Sequence, residues 1–124
     1  MSWEKVGPTL PGMVAGADLT ASQHLFVVVN ASGKVVTAGA GVAVDGVVQN
    51  NPDSDQAATV WGLGSVSKVV AGAAVAAGAL VAPNASGQAI TAVSGNYIAG
   101  RALNAATGAG QLISVWMTQP GRVA

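Results

Sequence analysis

Few residues in this chain could do chemistry. Ser65, Val66, Ser67 and Lys68 spell S-x-x-K, the pattern in which penicillin-binding enzymes set a nucleophilic serine beside a lysine. That chemistry needs the serine at a helix start in a large cleft, with further motifs that this sequence lacks. Gly62, Leu63 and Gly64 could open a glycine-rich phosphate loop. They lack the GK[ST] ending and lie between strand-like runs, so the segment reads as a connector. His24 is the only histidine. As a metal ligand it would have to act with Asp18, Asp45, Asp53 or Asp55, and no ligand spacing recurs. Asp53 and Asp55 in the run NNPDSDQ fit turn chemistry, with Pro52 setting the backbone and aspartate capping it. A single histidine also leaves little general-base capacity. The inventory therefore predicts a protein that is not an enzyme and carries no catalytic residue, metal site or cofactor.

Composition narrows the remaining classes. There is no cysteine, which removes disulfides, thiolate ligands and a cysteine nucleophile. The formal net charge is zero and only 8% of residues are charged. No basic stripe exists to neutralise phosphates, so no nucleic-acid partner is expected. The uncharged stretch 69–82 is shorter than the roughly 20 residues of a membrane-spanning helix and is broken by Gly72 and Gly78, so no membrane partner is expected either. The N-terminus has an acid and two prolines where a signal peptide needs an apolar run. Half of the chain is hydrophobic (51%), yet aromatics make up 4%. A surface of small neutral side chains favours permanent assembly with another protein.

The elements that must position these residues come in two versions. Residues 30–50, NASGKVVTAGAGVAVDGVVQN, align without a gap on residues 84–104, NASGQAITAVSGNYIAGRALN, with nine identities in 21 positions. The match extends to about 15–61 and 71–116. Each copy holds short runs of Val, Ile and Thr cut by Gly and Asn, at the spacing of strands. The two NASG tetrads read as hairpin turns, with Gly33 and Gly87 at the left-handed position. They also fit the N-x-S glycosylation pattern at Asn30 and Asn84, but the turn reading accounts for both. Gly46 and Gly100 coincide in mid-strand and predict a bulge or a close backbone approach. Asp45 and Arg101 share one strand face, which places the core on the other. The run 73–77 could hold a helical turn. The expected fold is all-β: a small barrel or sandwich of two duplicated units related by a pseudo-twofold, forming one domain over 15–124. An extended N-terminal arm, 1–14, precedes it.

The arm carries Trp3, Val6, Leu10 and Met13, spaced apolar residues suited to docking on a partner. Trp61 and Trp116 occupy matching places near the ends of the two copies. Either they cap the core or they form subunit contacts, where aromatics are enriched. These six residues are the candidate protein interface.

The run SKVVAGAAVAAGALVAPNASGQAITA, followed by YIAGRALNAATGAGQLISVWM, resembles the capsid cement, or decoration, proteins of tailed bacteriophages. The resemblance covers about 17–117. It implies a β-rich virion structural protein, a homotrimer bound to the major capsid protein on the outer surface of an icosahedral head, which it stabilises against internal pressure. The alternative is a small β-barrel module that recognises a glycan or peptide, for which Trp3, Trp61, Trp116, Tyr97 and Phe26 offer few stacking platforms.

Overall fold

Short runs of β-branched residues punctuated by glycine favour strands too brief to be stable alone, so they must pair and stack. In a computed structural model, which describes residues 4–119 and 121–123, the chain is all-β, with no helix among those residues. Ten strands form: β1 (Thr9–Leu10), β2 (Phe26–Val29), β3 (Val35–Thr37), β4 (Gly46–Val48), β5 (Val60–Gly62), β6 (Val66–Val70), β7 (Leu80–Pro83), β8 (Ala89–Thr91), β9 (Gly100–Ala102) and β10 (Leu112–Met117). They make two five-stranded antiparallel sheets in a sandwich-like arrangement. The orders are β1-β5-β4-β2-β3 and β6-β10-β9-β7-β8.

Each strand of the second sheet lies five places after a counterpart in the first, and the registers agree. Val27 lies opposite Thr37 and Gly46, and Val81 opposite Thr91 and Gly100. Trp61 pairs with Val47, and Trp116 with Arg101. The hairpin turns also agree. Asn30 Oδ1 accepts from the Ser32 and Lys34 amides, and Asn84 Oδ1 from those of Ser86 and Gln88. Gly33 and Gly87 both have φ of +75°, which glycine adopts at no steric cost. β1 stands to β5 as β6 stands to β10, so Thr9 and Leu10 of the arm lie along the edge of the first sheet, while Lys5 bridges Val66 of the second.

The core has two clusters. Val27, Val35, Val48 and Val60 bury one face of the first sheet beneath Ala15 and Leu19. The larger cluster holds their counterparts Val81, Ala89, Ala102 and Val115 together with Ile113 and Met117, and it also takes in Phe26, Ala38, Val44 and Val47 from the first sheet. The first sheet is therefore buried on both faces, and all three residues of β4 are inside. This departs from the one-face expectation. Val47 alternates onto the face of Asp45, yet it is fully buried because the second sheet covers it. On β9 the expectation holds, with Arg101 exposed between buried Gly100 and Ala102. The 73–77 segment forms no helical turn; Val75 bridges Ala106 instead.

The two sheets are not related by reciprocal contacts. The Phe26 amide donates to the Gly87 carbonyl (2.8 Å) and the Gly41 amide to that of Pro83 (2.9 Å). A twofold would also seat Gly33, the counterpart of Gly87, on the second sheet. Instead, a Cβ built on Gly33 meets nothing within 4 Å, whereas one on Gly87 meets Thr37 Cγ2 at 2.6 Å and the Phe26 oxygen at 2.9 Å. The contact runs one way, from the first sheet to the turn of the second.

Gly46 and Gly100 mark close backbone approaches. A Cβ on Gly46 would press into the Trp61 carbonyl oxygen and lie 2.8 Å from Val60 Cγ1; on Gly100 it would press into the Trp116 carbonyl oxygen and lie 2.8 Å from Val115 Cγ1. The obstacle is partly backbone and cannot rotate away. Replacing either glycine with alanine should therefore cost about 1–3 kcal/mol, the range of overpacked cores, or prevent folding. Gly108→Ala, where nothing lies within 4 Å, should change little. Thermal unfolding at matched protein concentration checks the contrast; equal melting temperatures for Gly46→Ala and Gly108→Ala would refute the close approach.

Candidate interaction surface

The residues with chemical potential are held in structural roles. Ser65 is buried at the entry to β6; its Oγ accepts from the Gly7 amide (2.9 Å) and lies 3.3 Å from the Pro8 carbonyl oxygen. The S-x-x-K run is thus the start of a strand, tied to the N-terminal segment. Lys68 Nζ lies 3.6 Å from Glu4 Oε1. Asp53 closes its own turn, with Oδ1 accepting from the Ser54 amide and its amide donating to Gln56 Oε1. Asp55 pairs with Lys34 at 2.6 Å on the surface, a pair that contributes at most about 1 kcal/mol. Among the described residues no three His, Cys, Asp or Glu side chains gather as a metal site.

The six candidate interface residues separate. Trp3 lies outside the described residues. Val6 is 53% exposed. Leu10 and Met13 pack against the smaller core cluster, and the Met13 carbonyl accepts from the Ala58 amide. Trp61 is half-buried and packs against the larger cluster. Trp116, at the matching place in the second sheet, is 47% exposed. The structure thus sorts the paired tryptophans into one that seals the joint between the sheets and one that is left outside.

Trp116 does not stand alone. Leu103, Leu112 and Trp116 are all exposed, and they follow the alternation that puts Arg101 on the outer face of the second sheet. Leu80, at the start of β7 and directly opposite Arg101, is only half-buried. Exposed leucines beside an arginine and a tryptophan have the composition of a protein interface. A family model for phage cement proteins matches residues 19–117, which includes this whole face. The chain belongs to the phage cement protein family. Comparison with curated proteins finds no match. As a cement protein the chain is a structural component of the phage capsid, and its family is not an enzyme class.

Sequence reasoning singled out Trp116 but not Leu80, Arg101, Leu103 or Leu112 around it. Copy-by-copy comparison carried the signal. Where the first copy has Phe26 and Val47 buried, the second has Leu80 and Arg101, and a charge in place of a core valine marks a face that stays wet.

His24, the cement protein's one histidine, is half-buried at the seam between the sheets. It has φ of +66°, where the matching Gly78 has +84°, and its Nδ1 is buried without a hydrogen-bond partner among the described residues. Burial holds its pKa below the ordinary value; Glu4 opposes that shift and Lys68 adds to it. The folded state thus disfavours the proton, while the unfolded chain takes it up at about pH 6.5. The stability this contributes is complete above that value and declines as the pH falls below it. Melting temperature should therefore drop between pH 8 and pH 5.5. In His24→Gly, which also relieves the positive φ, the drop should shrink; an unchanged pH slope in that variant would place the titration elsewhere.

Proposed function

We propose that this cement protein binds the outer surface of an icosahedral phage head as a homotrimer, contacting the major capsid protein and stabilising the shell. The observation that carries the proposal is the exposed face around Trp116 in a chain matched along most of its length by the cement family. On this reading Trp116 is a subunit contact, and the N-terminal segment, with Val6 exposed, is a shell contact. Each shell contact need not be strong. A symmetric oligomer bridging several capsid subunits gains avidity, because its later contacts form at high effective concentration.

The direct test is co-sedimentation of the purified protein with shells built from the capsid protein of the same genome. Saturable binding in multiples of three per capsomer is expected; no binding to intact shells would overturn the proposal.

Two variants separate the contacts. Trp116→Ser should weaken self-association by about 2 kcal/mol, the scale of an interface hot spot, and leave the circular dichroism of the strands intact; unfolding instead would make Trp116 a core residue. Removing residues 1–6 spares the Thr9–Leu10 pairing with β5. It should leave a folded oligomer whose shell affinity falls by about tenfold or more, on the order of 1.4 kcal/mol. Unchanged affinity would take the segment out of the shell contact.

A further inference from the structure

We propose that the outer face of the second sheet, around Leu80, Arg101 and Trp116, receives the Asn30–Gly33 turn of a second copy of this chain, repeating between chains the joint that the two sheets make within one. The inference deepens the proposal of self-association at Trp116 and rests on it.

The internal joint supplies the template. The row Phe26, Val47 and Trp61 runs across β2, β4 and β5 in direct register. Phe26 and Val47 are fully buried, and Trp61 packs against the cluster that belongs mainly to the second sheet. At one end of this row sits the turn of the second unit. Gly87 gives its carbonyl to the Phe26 amide, and its Cα side lies against Thr37 and the Phe26 carbonyl oxygen so closely that a side chain would collide. Gln49 Nε2 reaches Ser67 Oγ at 2.8 Å, and the Val70 amide donates to the His24 carbonyl, closing the joint along β6.

Each half of this joint has an unused twin. The twin of the covered row is Leu80, Arg101 and Trp116, in the same register across β7, β9 and β10, with Arg101 and Trp116 open to solvent. The twin of the docking turn is Asn30–Gly33, where Gly33 is exposed with open space around it. The free turn of the first unit and the free face of the second are thus complementary by construction. A one-way contact cannot satisfy itself within a single chain, since a first unit always keeps a free turn and a last unit a free face. Such head-to-tail contacts close into rings or continue as filaments. Arginine and tryptophan are also the side chains over-represented at the centres of subunit interfaces.

One part of the free face is already occupied. The Gly95 amide donates to the Val123 carbonyl (2.8 Å), as the matching Gly41 amide donates to Pro83. The C-terminal segment therefore takes that bond, and the incoming turn is left the Leu80 and Thr91 side.

Gly33 permits a sharp test. Asparagine tolerates a left-handed φ, and the space around Gly33 is open, so Gly33→Asn should fold as the parent does. At the repeated joint the same side chain would meet the Thr91 and Leu80 side, as a Cβ at Gly87 meets Thr37 and Phe26. Thr91→Arg blocks the receiving face from an exposed position. The wild type should sediment as an oligomer, and each variant alone as a monomer. An equimolar mixture of the two should give a one-to-one dimer and nothing larger, because one intact turn and one intact face remain. Should Gly33→Asn lower the melting temperature, Gly33→Asp takes its place in the same mixture. A monomeric wild type, variants that keep the parent oligomer, or a mixture that stays monomeric would each overturn the inference. Shell co-sedimentation of the wild type in parallel keeps the two readings apart: shell binding by a monomer would sink the joint and leave the cement role. Variants that break the oligomer, with no shell binding by the wild type, would do the reverse.

Discussion

Phe26, Val47 and Trp61 form an apolar row on the side of the first sheet that a lone five-stranded unit would turn toward water. Fully burying large side chains of this kind contributes about 1.5–3 kcal/mol each, so this row is a main apolar tie between the first sheet and the second. Everything else in the architecture follows from that burial. It makes the first sheet two-sided and recruits four of its residues into the second sheet's cluster. It also sets His24 at the seam, where its Nδ1 has no hydrogen-bond partner among the described residues.

A composition so poor in aromatics constrains how such a seam can be built. Valine and alanine bury little area apiece, and tight approach has to make up in contact density what the side chains lack in size. Gly46 and Gly100 serve that end by letting the backbone of β4 and β9 press on the carbonyls of Trp61 and Trp116. The same device appears in both sheets, at the residue beside the one that pairs with tryptophan. Of the tryptophans beside these contacts, Trp61 packs against the larger cluster and Trp116 stays exposed.

Much of this was legible in the sequence because the all-β class rests on local signals: β-branched runs, NASG turns and mid-strand glycines. The offset of 54 that aligns the NASG tetrads also aligns the strand registers, as in Phe26 with Leu80. What stayed hidden was the inequality of the two copies. Alternation along a strand tells inside from outside for one sheet, and Asp45 with Arg101 gave a single answer for both. Whether Val47 is covered depends on which unit's turn reaches across to which unit's face, and nothing within the short runs encodes that. The packing of Leu10 and Met13 against the smaller cluster was hidden for a similar reason. Two prolines and a break from the repeat disguised a two-residue edge strand that β5 needs as a neighbour.

Directionality is the property that most separates this chain from a symmetric duplicated sandwich. Two equal halves meeting face to face would bury both tryptophans and both turns, leaving a surface with nothing distinctive on it. Meeting head to tail, they cover one tryptophan and one turn and leave the other of each exposed. With charged residues at 8% of the sequence, little electrostatic repulsion opposes contact between copies there. On the proposed joint, the geometry that packs the second half of the chain on its first also specifies what the next copy has to offer.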